Sequence, residues 1–161
     1  MENKNQKTGF IKMIVLSGVL VGTLDIMAAC IQTLINGRKP VNMLKFISTG
    51  VFGKDSMAGG DVFAFYGLVF HYCIAFGWTY LFFILYAKWS LLSRSRILTG
   101  VAYGIFIFIM MSQIVLPLSN APVISFTPAG AITAILILSV AIGLPLSLLA
   151  SRYYSAQKDS E

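Results

Sequence analysis

The chain has 161 residues, of which 57% are hydrophobic and only 11% charged, with a mean hydropathy of +0.81. That balance excludes an ordinary water-soluble globular domain, in which about a quarter of the residues carry charge. The net charge of +6 does not point to nucleic acid, because the basic residues follow the loop asymmetry of a membrane protein.

Four runs are long and apolar enough to cross about 30 Å of hydrocarbon at about 1.5 Å per residue, near positions 10–35, 63–87, 97–118 and 126–150. They occupy most of the chain, so residues 1–161 read as a single membrane domain. Backbone groups in lipid need internal partners and these runs are far longer than barrel strands, so the spans are expected to be helices. The fold class is therefore an all-α integral membrane protein, a four-transmembrane-helix bundle. With an even number of spans both termini share a side. Lys4, Lys7, Lys12, Lys88, Arg94, Arg96, Arg152 and Lys158 fall there, against Arg38, Lys39, Lys45 and Lys54 opposite, which predicts cytoplasmic termini.

The polar tail "MENKNQKTG" is expected to be unordered, like "SAQKDSE" at the other end. The first span carries Gly18, Gly22, Asp25, Ala29 and Gln32 at helical spacing, a small and polar stripe that should face other helices. Gly18 and Gly22 there read as packing residues. "IMAAC", Ile26 to Cys30, loosely matches a lipoprotein cleavage box, but the apolar stretch is long and holds Asp25, so a retained span is expected.

Between spans one and two, Pro40 opens a stretch in which Val41, Leu44, Ile47 and Val51 recur at helical spacing. Gly50 and Gly53 end that pattern, and Gly59 and Gly60 form a flexible lead into the second span. A segment of about ten to twelve residues is too short to cross a bilayer, so a short interfacial or re-entrant helix is predicted, near 40–52.

The second span is aromatic, with Ala64, Gly67, His71, Ala75 and Trp78 as its inward stripe and Tyr86 and Trp89 suited to the interfacial belt. "SLLSRSR" makes a tight turn, so spans two and three are predicted to be antiparallel neighbours. Span three offers Gly100 and Gly104 for close packing, then Gln113 and a break at "LPLSNAP", where Pro117 and Pro122 remove backbone donors. Span four opens with Thr127 as N-cap before Pro128, and Gly143 with Pro145 predicts a kink.

Asp25 and His71 are the intramembrane carboxylate and the single histidine. Counted from the outer ends of their spans they lie roughly 15 Å and 12 Å deep, so they are able to face each other. An ionisable group in hydrocarbon costs about 2.5 to 3.5 kcal/mol even on translocon scales, which makes it a functional candidate, and a carboxylate beside an imidazole lowers that cost and tunes the ring. The bland alternative is a structural hydrogen bond between two helices. With Gln113 added from span three, the expected site is an outward-facing polar cavity of Asp25, His71 and Gln113. Its lid and hinge would be Lys45, Gly50, Gly53, Gly59 and Gly60.

Cys30 and Cys73 have no metal-ligand spacing and read as packing residues. Neither a phosphate-binding loop nor a metalloprotease helix nor a nucleophile elbow is present, so enzyme chemistry is not favoured and no metal or cofactor is expected. The partner classes are the bilayer, a second copy or another membrane protein, and not nucleic acid.

"GTLDI" in span one, "LKFISTGVFG" followed by "AGG", "GLVFHYCIAFGW" and "IVLPLSNAP" together resemble a family of small bacterial four-span membrane proteins whose activity is uncharacterised. More distantly the layout looks like YagU-type inner-membrane proteins. The resemblance spans roughly Gly22 to Arg152 and marks Asp25, Gly50, Gly53, Gly59, Gly60, His71, Pro117 and Ser119. A Met-Asn frequent in that family's third span is "MSQ" here, Met111 to Gln113, so a role of that Asn does not carry over. The resemblance implies a bacterial inner-membrane location and leaves the activity open. Two functions are open: binding or moving a small molecule, lipid or proton at the cavity, or serving as a structural or accessory subunit.

Overall fold

A computed structural model describes residues 4–122 and 127–158. Among the described residues there is no strand, and the chain is an all-α bundle. Its helices are α1 (Lys4–Ile35), α2 (Pro40–Phe52), α3 (Val62–Lys88), α4 (Arg96–Leu118) and α5 (Pro128–Ala156). All but α2 are long and apolar enough to cross a membrane, with mean hydropathies between 1.8 and 2.5. The expected start of the fourth span at Phe126 lies outside the described residues. The expectation of unordered tails is corrected where they are described: α1 already runs from Lys4, and helix continues past Ala156 to Lys158.

The predicted cap at Thr127 forms. Thr127 accepts a hydrogen bond from the Gly130 amide at 3.1 Å, with Pro128 in the first turn. Ser95 does the same for Leu98 at the start of α4, at 3.4 Å. Both breaks foreseen at prolines take one form, a π turn just before the ring: Met111–Val115 ahead of Pro117 and Ser139–Gly143 ahead of Pro145. Proline offers no N–H to the carbonyl four residues back and its ring crowds that carbonyl, so a locally widened turn relieves the clash.

Small residues set how closely the helices approach. A methyl group on Gly143 would run into the Gly100 carbonyl, and one on Gly104 would strike Ser139, so α4 and α5 touch backbone to backbone. On α1, Gly18 lies beneath the Phe76 ring and Gly22 beneath Tyr72 and Ala75 of α3. Around these contacts Val21, Phe82, Phe83, Tyr103, Ile107, Ile142 and Leu146 form the core. Tyr86, expected at the interface, is instead buried and stacked on Tyr154 at 5.8 Å, whereas Trp89 is exposed.

Helix α2 lies against the face of α3, close enough that a side chain on Gly67 would collide with the Leu44 carbonyl. Its last residue, Phe52, meets the rings of Phe63, Tyr66 and Phe70 at 5.4–5.8 Å. The expected apolar face is corrected in part. Leu44 and Ile47 turn inward, but Val41 and Val51 are exposed while Ser48 and Thr49 are fully buried. Apolar side chains lose nothing by facing lipid, and the two small hydroxyl residues bond to their own helix, Ser48 to the Lys45 carbonyl and Thr49 to that of Phe46.

Candidate functional site

The close approach of α1 and α3 over Gly18 and Gly22 brings Asp25 and His71 together. His71 Nε2 lies 2.8 Å from the Gly22 carbonyl oxygen. A carbonyl only accepts, so Nε2 carries the proton and donates it across the interface. Nδ1 then points at the Asp25 carboxylate, 4.0 Å from Oδ2. In a neutral ring Nδ1 offers a lone pair, and two lone-pair-bearing atoms attract only when a proton sits on one of them. At 4.0 Å the two groups are close neighbours, longer than hydrogen-bond distance, with the imidazole nitrogen turned toward the carboxylate. Both side chains are largely covered, at 11% exposure for His71 and 18% for Asp25.

This pair borders a cavity of about 130 Å³. The remaining wall is apolar: Ile74, Ala75 and Trp78 from α3, Ile107 and Met111 from α4, Leu138 and Ile142 from α5, and Ile47 from α2. Every helix thus contributes. Met111 opens one π turn and Ile142 lies in the other, so both helical irregularities abut the same space, a frequent association of π turns with binding sites. In volume it is close to an apolar cavity that binds benzene. Among the described residues no three His, Cys, Asp or Glu side chains come together to hold a metal ion.

Gln113, expected beside Asp25 and His71, is exposed, and its amide meets Ser112 at 3.4 Å. It follows Met111 by two residues, which at about 100° per residue carries it to the opposite face of α4. Met111 takes the wall position instead.

The lid residues divide. Lys45 points away from the cavity, donating to the Gly59 carbonyl at 2.8 Å and lying 3.3 Å from Asp61, so it clasps α2 to the lead of α3. Gly53 has φ +77° and ψ −175°, a conformation open in practice to glycine alone. Gly59 lies beneath the Phe63 ring and Gly60 has open space around it. Gly50 faces Ser119 of the α4–α5 loop, where an added methyl would sit 3.8 Å from the Ser119 Cβ. Next to it, Asn120 donates its backbone amide to the Gly50 carbonyl at 3.0 Å and its side-chain amide to Val51 at 3.1 Å. Those two carbonyls belong to the last turn of α2 and have no partner within the helix. Asn120 is therefore a C-terminal cap supplied from a distant loop, and nothing in its local sequence announces that role. Ile47, Trp78 and Met111 also escaped selection as cavity residues, because apolar wall residues look like any core residue.

Cys30 is half-buried and Cys73 exposed, and both are free. Helix length and hydropathy define the class: a multi-pass α-helical membrane protein, with a small partly open cavity between its helices. Comparison with protein-family models, with curated proteins and with solved structures returns no match.

Proposed function

We propose that the protein is a proton-linked membrane protein of the bacterial inner membrane. It binds or moves a small molecule at the Asp25–His71 cavity, which opens to the outside with both termini in the cytoplasm. The observation that carries this reading is the His71 ring, fixed by the Gly22 carbonyl with its second nitrogen facing Asp25 over an otherwise apolar space. A carboxylate and an imidazole this close are two groups able to take up or release a proton at one cavity wall, and the cavity suits a ligand no larger than a few carbon atoms with one hydrogen-bonding group. Helix α2, through Ile47, is the roof. The likeness of its connector motifs to the small four-span family fits this arrangement, since Gly50 and Ser119, both marked by the resemblance, meet in space.

The test uses proteoliposomes with a trapped pH-sensitive dye and an imposed membrane potential. Proton entry above protein-free vesicles, lost in both Asp25→Asn and His71→Ala while each remains folded, supports the reading; entry equal to that of empty vesicles sinks it. A second reading, a structural or accessory subunit, is favoured by the same Gly22 bond, which ties α1 to α3 whatever the protonation state. It gains if both variants lower the melting temperature and proton entry is absent in the wild type.

A further inference from the structure

A second pocket lies at the α2 end of the bundle, outside the Asp25–His71 cavity. It has a volume of about 670 Å³ and is bounded by Thr33 and Gly37 at the end of α1, by Arg38 and Lys39 in the turn, and by Asn42, Met43, Phe46 and Met57. That volume falls in the range of ordinary ligand sites. Its lining combines two chemistries: two cations and an amide, and two methionines with a phenylalanine.

The cations are the informative part. Arg38 and Lys39 are adjacent and exposed. Among the described residues the ion pairs are Lys45 with Asp61 and His71 with Asp25, and no carboxylate meets Arg38 or Lys39 within 4.0 Å. Two neighbouring like charges repel, and the arrangement is relieved by an external anion rather than by the protein itself. No acidic residue lines the pocket. The apolar lining adds a second requirement, since a purely hydrophilic anion leaves Met43, Phe46 and Met57 without a partner. Methionine and phenylalanine accommodate a flexible hydrocarbon chain.

We propose that this pocket binds an anionic phospholipid, with the phosphate on Arg38, Lys39 and Asn42 and the start of an acyl chain against Met43, Phe46 and Met57. Phe46 and Ile47 are consecutive on α2, so the lipid site and the roof of the Asp25–His71 cavity share one helix. The lipid site itself does not depend on what that cavity does.

The experiment measures lipid retention by native mass spectrometry of the full chain in mild detergent, titrated with phosphatidylglycerol, with phosphatidylcholine and with inorganic phosphate as competitor. Phosphatidylglycerol is expected to bind in preference to phosphatidylcholine, and Arg38→Gln/Lys39→Gln to weaken it by about tenfold or more. Lys54→Gln, which lowers the net charge on the same flank but does not line the pocket, is expected to leave binding unchanged. If the double variant does not purify as folded protein, Arg38→Gln and Lys39→Gln are read singly, each with a smaller loss. Equal binding of the two lipids, or binding unaffected by the Arg38 and Lys39 variants, overturns the proposal. Displacement of the lipid by millimolar inorganic phosphate overturns it in favour of a site for soluble phosphate.

Discussion

His71 Nε2 is held 2.8 Å from the carbonyl of Gly22, so the orientation of the one histidine is set by the backbone of another helix rather than by the carboxylate beside it. The bond exists because Gly22 lets α3 approach to van der Waals contact, with Tyr72 and Ala75 3.0–3.2 Å from where a Cβ would stand. Packing comes first and the polar pair follows from it.

The pair should be energetically coupled. In a double-mutant cycle of Asp25→Asn and His71→Ala, read by reversible thermal or denaturant unfolding in detergent, a coupling of about 0.5 to 1.5 kcal/mol is expected. Strict additivity would show that the 4.0 Å approach carries no interaction.

Glycine substitutions should separate by what each Cβ meets. Gly143→Ala drives a methyl group into the Gly100 carbonyl, where only backbone is available to move, and is expected to destabilise by about 1 to 3 kcal/mol or to prevent folding. Gly77→Ala, with nothing within 4 Å, is expected to be neutral or stabilising by up to about 1 kcal/mol, since alanine is the better helix residue. Melting temperatures of the two variants give the comparison.

Asn120→Ala removes the side-chain donor to Val51 but leaves the backbone bond to Gly50. The expected loss is about 0.5 to 1.5 kcal/mol. Hydrogen exchange should accelerate in the last turn of α2 and in the α4–α5 loop together, and unchanged exchange in either would argue against the clasp.

At Lys45 two interactions are separable. Its ammonium donates to the Gly59 carbonyl in a covered position, whereas Asp61, its ionic partner, is 90% exposed. Lys45→Met is expected to cost about 1.5 kcal/mol or more, through the lost charge-assisted bond. Asp61→Asn should cost no more than about 0.5 kcal/mol, as exposed ion pairs do. Equal losses, measured by thermal unfolding, would show that the ion pair is the stronger element.

Local features of the chain were sufficient for the elements. Four long apolar runs, Thr127 before Pro128, the short periodic stretch after Pro40 and the breaks at Pro117 and Pro145 each act within one or two helical turns. Their consequences are therefore readable without knowing what packs where. The stripe through Gly22 and Asp25 and the one through Gly67 and His71 were legible for the same reason.

What only the tertiary structure decided was which polar groups share a space. Gln113 has the same chemistry as a cavity residue, yet a two-residue offset from Met111 sends it outward. Val51, expected on the packed face, is exposed while Ser48 and Thr49 are buried, because lipid accepts an apolar side chain as readily as the bundle interior does, and the hydropathy pattern of α2 then carries no direction. Asn120 becomes a cap for a helix 69 residues earlier, a relationship fixed by where Ser119 and Asn120 come to lie beside the end of α2. The amino-acid sequence by itself determined the helices and their membrane-crossing character; the contacts between helices determined the site.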